Sequence, residues 1–68
     1  MLSGTDNLQN RSYDPEQMAG YHFVKAEHFE RMKMACAGNP PLFYQYAEQE
    51  YFHKALAHRY KGMVGWMQ

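Results

Sequence analysis

Four residues near the middle of the chain, Gly38-Asn39-Pro40-Pro41, limit its fold more than any other feature. Two adjacent prolines cannot continue a helix, and the first is held extended by the second. The stretches on either side, Pro15 to Ala37 and Leu42 to Lys61, have only one internal glycine, Gly20, and no proline after Pro15. Each carries apolar residues at helical spacing. Two helices joined by so short a link are antiparallel neighbours, so the fold class is all-α, an αα-hairpin.

Local signals set the expected boundaries. Residues 1–12, MLSGTDNLQNRS, are polar and turn-prone and read as a mobile arm. Asp14 is a good N-cap, Pro15 suits the first helical position, and Tyr13 and Met18 occupy the two positions of a hydrophobic staple. Helix 1 is expected over about 15–37, ending on Gly38 as a left-handed cap, and the turn over 38–40. Helix 2 is expected over about 41–61, stopped by Gly62. An apolar tail, 63–68, would then fold back on the hairpin or reach another subunit.

A core stripe can be read on each helix. On helix 1 it is Met18, His22, Phe29, Met32 and Cys36; on helix 2 it is Leu42, Tyr46, Gln49, His53, Leu56 and Tyr60. Folding about residue 39 pairs Cys36 with Leu42, Met32 with Tyr46, Phe29 with Gln49, Lys25–Ala26 with His53, His22 with Leu56, and Met18 with Tyr60. A second set is left uncovered: Phe23 and Met34 on helix 1, and Tyr44, Ala47, Tyr51, Ala55 and His58 on helix 2, flanked by Phe43 and Phe52. Two helices cannot bury both sets, and an exposed apolar patch of that extent marks an interface. The chain has 68 residues and a single cysteine, Cys36, so no intrachain disulfide can supplement a small core. Self-association is the simplest remedy, with two hairpins forming a four-helix homodimer. The residues expected to meet a protein partner are Tyr44, Tyr51, Phe43, Trp66, Phe23 and Met34, the alternative for each being burial inside the dimer.

Other chemistry is poorly supplied. Seven basic and seven acidic residues give a formal net charge of zero, which provides no field for nucleic acid or an acidic membrane surface. No apolar run approaches the ~18 residues needed to span a bilayer, and the N-terminus has no signal-peptide core, which points to the cytoplasm. Glu50 and His53 have the Glu-x-x-His spacing of di-iron bundles, but neither Glu27 nor Glu30 faces the stripe to complete a ligand set. Glu50 has Lys54 one turn on and reads as half of an exposed ion pair. His53 reads as a hydrogen-bonded core residue, and His22, His28 and His58 share no spacing that makes a helical metal pair. No metal or cofactor is therefore expected, and no nucleophile–base or glycine-rich constellation suggests an enzyme. A DNA-reading helix-turn-helix is the nucleic-acid alternative. Against it, the second helix spends its surface on Tyr, Phe and Ala, and Glu48 and Glu50 partly balance Lys54, Arg59 and Lys61.

In size and layout the hairpin from Tyr13 to Lys61 resembles small phage-encoded proteins that bind and silence host proteins. Among these are helical-hairpin anti-activators that target bacterial transcription regulators, quorum-sensing ones included. The resemblance implies a homodimer in the host cytoplasm that covers a regulator's DNA-binding or dimer surface. A structural subunit of a larger assembly is the other reading of the same exposed stripe.

Overall fold

A computed structural model describes the backbone of residues 14–67 and the side chains of residues 14–65. The arm, Tyr13 with its staple, and the side chain of Trp66 lie outside the described residues. Two antiparallel α-helices make up the described fold, α1 over Pro15–Ala35 and α2 over Pro40–Met67. No described residue is in a strand.

The first turn of α1 is set by Asp14, whose extended backbone (φ −62°, ψ 115°) lets its side chain accept from Glu16 N at 3.1 Å. Pro15 follows as the first helical residue, where its missing N–H costs no bond. The link differs from the expected left-handed cap at Gly38, since no described glycine has positive φ. The chain leaves α1 instead by tight backbone bonds, Cys36 N to Lys33 O at 3.0 Å and Ala37 N to Met34 O at 3.3 Å. These satisfy two of the last carbonyls of α1, so no left-handed residue is required. Helix α1 therefore stops at Ala35 and the link occupies 36–39.

Asn39 then caps α2. Its amide N donates to Cys36 O at 2.9 Å, its side-chain Oδ1 accepts from Leu42 N at 3.3 Å, and its carbonyl accepts from Phe43 N at 2.8 Å. Pro40 and Pro41 fill the two positions between and have no N–H to satisfy. Every backbone donor of the first turn is thus bonded or absent, and the prolines that end one helix start the next.

The far end of α2 is also corrected. The helix runs through Gly62 and Gly65 to Met67, and 63–67 is its last part rather than a separate tail. Gly62 costs about 1 kcal/mol of helix propensity but breaks no hydrogen bond. Val64, seven residues beyond fully buried Ala57, is half-buried, so packing continues past Gly62.

The seam between the helices follows a seven-residue repeat. Among the described residues, Ala19 and Ala26 on α1 and Ala47 and Ala57 on α2 are the buried apolar ones, between 0% and 7% exposed, and no large side chain is fully buried. Small residues let the two backbones approach, and larger side chains pack around them. Along α1 the repeat reads His22, Phe29, Cys36 beside Ala19, Ala26, Lys33; along α2 it reads Phe43, Glu50, Ala57, Val64 beside Tyr46, His53, Tyr60. The helix 2 stripe is therefore turned by about 50° from the expected one, half of one 100° residue step. Leu42 and Gln49, placed in the core by sequence, are exposed. Ala47, placed on the outer face, is buried.

Candidate functional site

Five rings alternate between the helices along the seam. Tyr46 of α2 stacks on Phe29 of α1 (centroids 6.2 Å, 27°), and Phe29 on His53 of α2 (5.7 Å, 7°). His53 then stacks on His22 of α1 (5.1 Å, 25°), and His22 on Tyr60 of α2 (5.8 Å, 3°). All four contacts lie in the range of favourable offset stacking. The expected flat layers are replaced by interdigitation, each inner ring sitting between two rings of the other helix as a knob sits in a hole. At the centre, His22 Nδ1 and His53 Nδ1 are 2.9 Å apart, a hydrogen bond in which one nitrogen donates and the other accepts.

A second polar connection closes the turn end. Glu50 is 2% exposed, not the surface residue that its spacing to Lys54 suggests. Its Oε1 lies 2.7 Å from Lys33 Nζ and its Oε2 3.4 Å from Lys54 Nζ. The Lys33 contact is off the line of an ideal hydrogen bond, so charge holds Oε1 more than direction does. The Lys33 ammonium holds the Glu50 carboxyl below its ordinary pKa, against the upward push of burial, and Lys54 adds to the lowering. The adjoining Glu50 carboxylate raises Lys33 in turn. The Lys33 ammonium also sits 5.4 Å from the centroid of Tyr51 and 5.7 Å from that of Phe43, within cation–π range of both.

Of the six residues expected to meet a partner, Trp66 has its side chain outside the described residues, and the other five divide as follows. Tyr44 is 69% exposed, Met34 62%, Tyr51 59% and Phe23 37%. Phe43 is half-buried under Lys33, with its ring edge-on to Tyr44 at 5.1 Å. Tyr44, Tyr51 and His58 recur every seven residues, which keeps them on one side of α2 over about 21 Å. Phe23 of α1 meets His58 edge-on at 5.3 Å, so the two helices contribute to one face. Met34 falls on the Phe23 side of α1 by helical period. Pro41, Tyr44, Ala47, Glu48 and Tyr51 line an open groove on this face, and Phe23, Ala26, Glu27, Glu30 and Lys54 line another.

Of the expected core set, His22, Phe29, Tyr46, His53 and Tyr60 form the ladder. Met18, Met32 and Leu56 are half-buried beside it, and Leu42 is 37% exposed. Spacing by large apolar residues missed the buried Lys33–Glu50 pair. The seven-residue recurrence of Ala19, Ala26 and Lys33 is the signal that places Lys33 at the seam. Among the described residues no three of His, Cys, Asp and Glu converge, and no helix is long and apolar enough to cross a membrane. The chain matches no protein-family model, no curated protein and no solved structure.

Proposed function

We propose that the chain is a small protein-interaction module. It self-associates and binds another protein to modulate it, and a bacterial transcription regulator in the cytoplasm is the partner that its hairpin layout suggests. One observation carries the reading: Tyr44, Tyr51 and Met34 stand open to solvent while the buried apolar core among the described residues is four alanines. An interface built on Tyr anchors gains large contact area at little entropic cost. Occlusion of the regulator's own interface is the mechanism such a rigid aromatic face serves, because a neutral chain is a poor mimic of DNA.

Light scattering at micromolar concentration tests the first half, with a mass of about 16 kDa, twice 8.1 kDa, expected for a homodimer. For the second half, a pull-down with the wild-type chain is compared with Tyr44→Ala and Tyr51→Ala. Loss of the bound protein at unchanged mass and melting temperature supports recognition through this face. A monomeric mass, or retention of the partner by both variants, overturns it. That no large side chain is fully buried among the described residues also favours a second reading, a structural subunit whose faces are covered permanently, and such a chain aggregates when expressed alone.

A further inference from the structure

The centre of the ring ladder differs chemically from its ends. His22 and His53 meet through their Nδ1 atoms at 2.9 Å, and both are held in place by stacking, His22 between Tyr60 and His53, His53 between His22 and Phe29. His22 is 8% exposed. The contact survives in two charge states: both imidazoles neutral in opposite tautomers, or one imidazolium donating to a neutral partner. With both protonated, two N–H groups face each other and neither nitrogen can accept. We propose that His22 and His53 form a proton-operated latch, which keeps the hairpin closed while the pair carries at most one positive charge and parts it at mid-length when both rings are protonated.

The surroundings favour release over compensation. From α1, Tyr21 meets His22 edge-on at 5.0 Å, and the Lys25 ammonium lies 5.9 Å from the Phe29 ring that stacks on His53. From α2, Phe52 meets His53 edge-on at 5.2 Å, and Tyr60 covers the other side of His22. Glu50, one turn before His53, is taken by Lys33 and Lys54. Burial, then the charges of His22 and Lys25, push His53 below its ordinary pKa, and no carboxylate among the described residues pulls it back. A histidine depressed in the folded state stabilises the fold above its unfolded value of about 6.5, and that stability is lost as pH falls below it toward the folded value. The latch therefore opens on acidification, and it interrupts the stack that aligns α1 with α2.

Thermal unfolding of the full chain, followed by circular dichroism at fixed concentration from pH 8 to pH 5.5, reads the latch. The wild-type melting temperature is expected to fall by about 4–8 °C as pH passes below about 6.5, which is what losing one hydrogen bond costs a domain of this size. His53→Phe keeps an aromatic ring in the ladder without a titratable nitrogen, and its melting temperature should stay level over that range. His28→Ala, at an exposed position, should keep the wild-type fall. An undiminished fall in His53→Phe overturns the latch. If that variant does not fold, imidazole NMR of the unsubstituted chain decides: two separated steps for His22 and His53 support coupling, and two single titrations near the ordinary value refute it.

Discussion

Glu50 shows how much a single buried charge does in a small hairpin. Its carboxylate touches one lysine from each helix, and Lys33 in turn lies over two rings of α2. Unpairing such a group leaves a charge without water or partner, which is more damaging than losing a surface ion pair. The pH dependence follows from the two shifts. Glu50 is lowered when folded, so its contribution is full above its ordinary value of 4.5 and is lost as pH falls through the lower folded value. Lys33 is raised, so its contribution is full below 10.5 and is lost as pH rises through the higher folded value. Glu50→Gln should lower the melting temperature at neutral pH and flatten both limbs of a melting-temperature profile from pH 3 to pH 11. A variant whose profile runs parallel to the wild type would show that the pair does not couple to folding. This acid limb lies below pH 4.5 and is separate from the histidine window above it.

At the scale of the element, local chemistry and tertiary packing disagree at the glycines. Gly20 lies inside α1, exposed, and a Cβ there would meet nothing within 4 Å. Gly20→Ala should therefore stabilise the fold by up to about 1 kcal/mol, read as a melting temperature higher by about 5 °C. No gain at all would mean that the open side of Gly20 is occupied in solution, for instance by a second copy of the chain. The start of α1 and the capping of α2 by Asn39 depend on residues within four positions of each other, which is why such signals can be read from sequence. The end of α2 could not be read in this way. Gly62 has the composition of a helix stop, but the half-buried Val64 beyond it keeps the helix going.

For the whole molecule, the distance between two backbones decides what is core. Ala57 is fully buried and Ala55, two residues earlier, is exposed. Ala57→Leu should force the helices apart and cost about 1–3 kcal/mol, while Ala55→Leu should change stability by less than about 0.5 kcal/mol. Equal effects in chemical denaturation would contradict the alanine seam. Both helices carry apolar side chains around most of their circumference, so periodicity gives only a shallow preference for one seam over another. Sequence spacing puts Leu42, Gln49 and Leu56 at the seam beside Tyr46, His53 and Tyr60, but alanines permit closer approach and leave room for the rings to interleave.

The sequence by itself determined that two helices form, where α1 begins, and that they fold back on each other, because caps, prolines and link length act through neighbouring residues. It also showed that this chain has more aromatic surface than one hairpin can cover. Only the tertiary structure decided which side of α2 faces α1. That choice turns on steric fit between residues 17 to 38 positions apart, and it brought together two pairs that no local pattern joins. His22 with His53, and Lys33 with Glu50, exist as sites because backbones separated by alanines are close enough for short polar contacts to form across the seam.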